Sequence, residues 1–342
     1  MIICPLRPSL FYYPVISLRE QELDAQVHRY RLSAYASSTK ASYRVQLRTY
    51  RSFCLLHKYN LYPIKVHHLA RYIAHLTNVL SASSVPLYLN VVCLLHLERG
   101  HPNPLQSFYI TSLLKGVRRE LAIPPSQKLP ITPSILYSIH KILDLSQPMA
   151  ITFWASCLVA FYSFFRKSTL LPKSNHHSCQ TEICIRDLVR SEQGFLLKVK
   201  HTKTLQYRHK LLSIPLPTIG ESPLCPSAAL TKMLVQLSSC SLGAPLFSYP
   251  TKHGFTFFNH STFSTYLKKA LDMSGHQSSQ YSGHSFRRGG ASFAFLCGIP
   301  SDLIKIQGDW SSDAYLRYLS SPLDHRLKLS QIMSSHILKT SP

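Results

Sequence analysis

The chain has 342 residues, 45% of them apolar, and carries 38 Lys and Arg against 15 Asp and Glu, a formal charge of +23. That length suits about two domains with real cores, and no run reaches the ~18 uninterrupted apolar residues of a membrane span. The cationic excess is far beyond what solubility needs; it favours a polyanionic partner, and it is spread through both halves among aromatic residues.

The first 17 residues are fairly apolar, but Pro5, Arg7, Pro8 and Pro14 interrupt them. They make a poor signal sequence and are expected to lie poorly ordered outside the fold. The nine cysteines are odd in number and scattered. Cys54, Cys93, Cys157 and Cys297 sit in apolar helical contexts, the pattern of free thiols in a reducing, intracellular compartment.

Residues 18–121 read as helices only. Ser37-Ser38-Thr39 offers an N-cap to a helix over 41–57 with apolar and basic faces. Further helices are expected over 67–80, from Ser83 or Ser84 to a stop at Gly100, and over 105–121. Together they predict a small basic bundle. Residues 122–133 hold four prolines and no helical period, and read as a linker. A second domain is expected over 134–342. It opens with a strongly apolar, buried helix at 151–165. Three short strands follow at 182–188, 195–200 and 211–216, with turns at Gln193-Gly194 and 205–209. Helices return at 226–237, 261–273, 285–297, 301–307, 312–319 and 324–338.

The chemistry-bearing residues are dispersed. His284 and Arg287 are three apart at a helix start, which puts both on one face. Arg can hold two phosphate oxygens through parallel hydrogen bonds, and His can move a proton near neutral pH. Arg166 ends the apolar helix, where a charge is costly unless it meets an anion or a solvated cleft. It would also serve as a partner for the helix dipole. Lys203 falls at the tip of a predicted hairpin. Trp310, Tyr315 and Tyr318 close the series, and either tyrosine offers a hydroxyl able to attack phosphorus. His176, His177, Cys179 and Cys184 cluster without the spacing of a closed four-ligand zinc site, and read as a loop.

The order Arg166, Lys203, His284-x-x-Arg287, Trp310, Tyr resembles the tyrosine recombinase family of the phage-integrase type, from about residue 37 to 337. The segments Phe164-Phe165-Arg166-Lys167-Ser168, Gly283 to Gly290 and Gly308 to Leu319 resemble, more narrowly, the recombinases of eukaryotic Crypton and DIRS mobile elements. The resemblance implies a mainly α fold: a helical, SAM-like core-binding domain, then a mostly helical DNA breaking-rejoining domain with a small three-stranded antiparallel sheet. It implies cleavage of double-stranded DNA through a 3′-phosphotyrosyl link, with no metal, ATP or other cofactor. Arg166 and Arg287 would clamp the phosphate, and Lys203 would protonate the departing 5′-oxygen. His284 would help take the tyrosine proton. Trp310 stands where many relatives carry His and keeps one N–H donor. Tyr318 would be the nucleophile, with Tyr315, one turn earlier, as the alternative. Thr169 stands where relatives often carry an acid.

The resemblance further implies a monomer that assembles to a tetramer on paired sites. The terminal helix packs either on a neighbouring protomer or on its own domain. A C-shaped clamp around the duplex is expected, and nuclear action if the source is eukaryotic. Relaxation of DNA in the manner of a type IB topoisomerase, or a catalytically silent DNA-binding descendant, would use the same residues.

Overall fold

The computed structural model describes residues 20–121, 123, 127–200, 202, 211–318 and 323–340. Lys203 and the N-terminal 17 residues lie outside them. The chain divides into two compact units, one ending at Pro125 and the other starting at Ser126.

The first unit is helical: α1 (Glu20–Ser33), α2 (Ser37–Leu56), α3 (Val66–Thr77), α4 (Val85–Leu97) and α5 (Phe108–Leu121). Its core follows the helical period. Leu69, Tyr72, Ile73 and Leu76 of α3 are fully buried, at spacings of three and four. They meet Tyr50, Phe53, Leu89, Val92 and Ile110. The buried His96 ring is fixed at both nitrogens, Nδ1 to the Val92 carbonyl and Nε2 to the Ile64 N–H. Starts and stops differ slightly from the sequence reading. α2 begins at Ser37 without a side-chain cap, because Ala36 holds the N-cap place. Ser84 caps α4 by position only, and Gly100, at φ +74°, turns the chain three residues after that helix ends.

The opposite surface is cationic. Residues 25–97 contain nine Lys and Arg and no Asp or Glu. On α2, Arg44, Arg48 and Arg51 are exposed at spacings of four and three, so they share one face.

The second unit is built on α7 (Pro148–Ser163), which is buried from nearly every side, so its apolar sequence has no amphipathic period. Around it lie α6 (Pro133–Ile142), α8 (Lys167–Leu170), α9 (Pro226–Val235), α10 (His260–Met273), α11 (His284–Leu296) and α12 (Ser301–Gln307). A three-stranded antiparallel sheet, β1 (Leu188–Ser191), β2 (Gly194–Val199) and β3 (Leu212–Pro217), covers one side in that order. Its register pairs Phe195 with Leu216, Leu197 with Ile214 and Val199 with Leu212. All six side chains face the core. Because β3 is an edge, it tolerates Pro215 and Pro217.

Several features depart from the sequence reading. The expected strand at 182–188 is a 3-10 turn at Ile185–Asp187 followed by β1. Its Asp187 is drawn inward to the Cys184 N–H and the Lys200 ammonium. The expected helix at 312–319 is a 3-10 turn, Asp313–Arg317. A second hairpin, β4 (Ser248–Thr251) with β5 (Gly254–Phe257), was not read from the sequence. Its two-residue turn before Gly254 is the signal that marks it. The chain ends in α13 (Leu323–Thr340), whose Leu327, Ile332, Met333, Ile337 and Leu338 are exposed. Among the described residues every cysteine is free, and no helix is long and apolar enough to cross a membrane.

The second half of the expected linker is part of this unit. Leu129 N–H donates to the Gln280 carbonyl and Ile131 N–H to that of Ser285. Ile131 is fully buried. Gly289 makes room for the contact, since a Cβ there would sit 1.8 Å from the Ile131 oxygen; Gly290 lies instead against α7, where a Cβ would sit 2.1 Å from the Phe161 oxygen. Gly289→Ala is therefore expected to destabilise by about 1–3 kcal/mol or more. Gly116→Ala, in α5 with open space around it, is expected to stabilise by about 1 kcal/mol. Urea unfolding of the two variants checks both signs.

Candidate active site

Helix α11 supplies the centre of the site. Its first residue, His284, is exposed, while Arg287, one turn on, is only 1% accessible. The Arg287 guanidinium is held by one nitrogen. Nη1 donates to the Phe164 carbonyl at 2.6 Å and to the Gly308 carbonyl at 2.8 Å. Phe164 offers that carbonyl because α7 ends there in a left-handed turn, φ +54°. The remaining nitrogens, Nε and Nη2, are buried without a hydrogen-bond partner among the described residues. Beside them the Trp310 ring lies 3.7 Å from the guanidinium carbon, and its indole N–H is also buried without a partner. A cation on an aromatic face is favourable, but it satisfies no donor. Burial, then the charge of Arg166, pull Arg287 down from 12.5 to about 9; Tyr318 and Asp309 pull the other way. It stays charged at neutral pH, so the pocket holds a cation with empty donors, which is a seat for an anion.

Arg166 is half-buried at the start of α8. It stands beyond the end of the apolar helix, not at its C-terminus as the sequence reading has it, because the turn at Phe164 intervenes. Its charge acts on both Arg287 and His284. The structure thus brings Arg166, His284, Arg287 and Trp310 together.

It also separates the two tyrosines. The Tyr318 hydroxyl lies 2.9 Å from His284 Nε2. The Tyr318 carbonyl accepts from Ser292 Oγ, eight residues along α11 from His284, so one helix face fixes both its backbone and its phenol. Tyr315 is 6% accessible and packs against Trp310, Phe164 and Ile304. A Lys305–Asp313 ion pair at 2.8 Å ties its 3-10 turn to α12. The spacing of three that suggested a shared side places one phenol in the pocket and the other in the small apolar cluster beneath it.

Two supports were not read from the sequence. Asp309 adopts φ +50°, a region that few non-glycine residues occupy. Its carboxylate accepts from Thr202 Oγ1. Thr202 is thereby tied to the segment that carries Trp310. Lys200 is engaged by Asp187.

Partial desolvation, then the charges of Arg166 and Arg287, hold His284 below its usual 6.5. The ring is neutral at pH 7, and Nε2 can accept the phenol proton. Cleavage is expected to fall as pH drops below 6.5, where the ring becomes protonated. Stability has the same sign: a base with a lowered folded-state pKa contributes above 6.5, and the contribution is lost as pH falls through the folded value. Single-turnover cleavage from pH 5 to 8 checks this, and His284→Asn should flatten the acid limb.

His177 donates or accepts at both nitrogens, to Glu182 and to the Gly243 carbonyl, each at 2.9 Å, and it braces a loop. Among the described residues no group of three or more His, Cys, Asp or Glu is arranged to hold a metal ion.

The second unit thus gathers two guanidiniums, an imidazole and a phenol at one pocket suited to an anion. No protein-family model matches the chain. The sequence is 23% identical over 264 residues to an integrase/recombinase xerD homolog of Selenomonas ruminantium, covering 76% of this chain and 74% of that protein. Among solved structures it is similar to the XerH site-specific recombinase bound to its difH substrate in a post-cleavage complex (TM-score 0.60, 14% identity, 87% of this chain and 79% of that one). It is also similar to the Tn1549 transposon integrase in complex with transposon right-end DNA (0.57, 12%, 91% and 98%). A third is a lambda integrase tetramer bound to a Holliday junction (0.53, 15%, 86% and 78%). The chain shares the fold of these recombinases and integrases.

Proposed function

We propose that this protein is a site-specific DNA recombinase of a mobile element that cuts and rejoins DNA through a 3′-phosphotyrosyl link. The observation that carries the reading is the Tyr318 hydroxyl, 2.9 Å from a neutral His284 and beside the empty donors of Arg287. The scissile phosphate sits between Arg166 and Arg287, whose charges match what develops as oxygen attacks phosphorus. His284 takes the phenol proton. Lys203, next in sequence to Thr202, protonates the 5′-oxygen as it leaves. Trp310 gives its N–H to a phosphate oxygen. The phosphotyrosyl link conserves the phosphodiester's energy, so a second 5′-hydroxyl reverses the step. The arginine face of α2 supplies sequence-independent contacts to the backbone.

The chain acts as an assembly. We infer a monomer in solution and a tetramer on paired DNA sites. Phe161, Phe164, Pro215, Phe293, Ile299 and Leu303 line an apolar groove of about 430 Å³. α13 presents exposed apolar residues and contributes none to the described core. In the assembled form α13 of one copy occupies this groove on the next. Sedimentation is expected to find a monomer that becomes a tetramer only with DNA; a stable DNA-free tetramer contradicts it. The function is tested by selecting bound duplexes from a random pool and then trapping covalent adducts on them. An adduct that maps to Tyr318 supports the reading; bound DNA with no adduct under any condition overturns it.

A further inference from the structure

The site opens into a cavity of about 760 Å³, within the ~300–1,000 Å³ range of ligand pockets and several times larger than one phosphate needs. Lys128, Arg166, Lys167, His260, Lys268 and His284 are on its wall, and no Asp or Glu among the described residues lines it. Lys167 is the unusual member. It follows Arg166 directly, is half-buried, and is in no ion pair among the described residues. Its Nζ donates 2.8 Å to Ser264 Oγ, a neutral acceptor whose own proton goes to the His260 carbonyl. The Lys167 stem lies against Gly283: a Cβ there would approach its Cδ to 2.8 Å and its Cβ and Cγ to 3.1 Å.

A lysine at such a position normally extends its ammonium to water or an acid. Here its stem is clamped between the start of α11 and α10. The ammonium faces a cationic cavity beside another cation, an arrangement that is unfavourable until an anion arrives. The remaining ammonium protons are available to an oxyanion, and Ser264 fixes the direction of the group.

We propose that Lys167 and Ser264 form a second phosphate seat, which takes the backbone phosphate next to the scissile one. This rests on the reading of the Arg166–Arg287 pocket as the seat of the scissile phosphate. The second seat fixes the strand on both sides of one sugar, so the reacting phosphorus is set by two anchors. It orients the strand without touching the reacting atoms.

The test has two arms. With a 30-bp duplex of arbitrary sequence, Lys167→Gln should reduce the slope of log K against log salt by ~0.9, the loss of one phosphate contact. Lys167→Arg should restore it, and the DNA-free melting temperature should stay the same in both. A wild-type slope in Lys167→Gln overturns the proposal, as does a fall in melting temperature with the slope intact, which marks a structural tie. In the second arm, single methylphosphonates are walked along the cleaved strand of a selected site. Neutralising the phosphate 5′ or 3′ of the scissile one should weaken wild-type binding and leave Lys167→Gln indifferent. Additive losses at every position overturn the seat. Adduct formation at Tyr318 is scored separately, so the scissile-phosphate reading fails or survives independently.

Discussion

Tyr318→Phe is expected to remove covalent DNA adducts, lowering cleavage by more than about 10⁴-fold, while leaving DNA affinity intact. The variant loses only the oxygen that His284 contacts at 2.9 Å. Tyr315→Phe is expected to retain adducts, because its phenol is packed against Trp310 in an apolar cluster and not in the pocket. Its cost is structural and small, about 1 kcal/mol for a buried hydroxyl. Tyr315→Ala should cost about 3–5 kcal/mol through the cavity it leaves. Denaturing gels of trapped complexes, run beside melting curves, separate these outcomes. Adducts surviving in Tyr318→Phe and vanishing in Tyr315→Phe would move the nucleophile to the other tyrosine.

The second large effect is at Arg287. Arg287→Lys keeps a positive charge but loses the planar fork, and is expected to slow cleavage by about 10²–10³-fold. The same residue governs a response that needs no DNA. Two of its nitrogens and the Trp310 indole are buried without partners among the described residues, so an anion binding there relieves an unfavourable site in the folded chain alone. Inorganic phosphate at ten times its Kd contributes about 1.4 kcal/mol, a rise of ~3–6 °C in melting temperature for a unit of this size. Arg287→Lys should lose most of that rise. Equal shifts in wild type and variant would place the anion elsewhere.

Much of this site was legible because its residues sit in short, distinctive strings. His284 and Arg287 are separated by one helical turn, and the helix expected at 301–307 is α12, Ser301–Gln307. β2 and β3 followed from alternation that the observed register bears out. What was not legible depends on backbone geometry. Arg287 is held by the carbonyls of Phe164 and Gly308, and no side-chain pattern announces a carbonyl. The tie between Thr202 and Asp309 joins residues 107 apart. The strap at 127–131 read as part of a linker because residues 122–133 hold four prolines and no helical period; the side-chain-free surface of Gly289 is where it packs. The 3-10 geometry around Tyr315 likewise changes which way each phenol points. The comparisons reach recombinases and integrases, and do not single out the Crypton and DIRS group.

The chain contains two tryptophans. One, Trp154, gives its indole N–H to the Pro223 carbonyl within the core. The other, Trp310, lies under a guanidinium with its N–H uncommitted. With Trp154 replaced by Phe, the protein carries a single indole, at the candidate site, which can be excited apart from its tyrosines. Light from that indole then reads occupancy of the pocket in real time, before any strand is cut and without a label on either molecule.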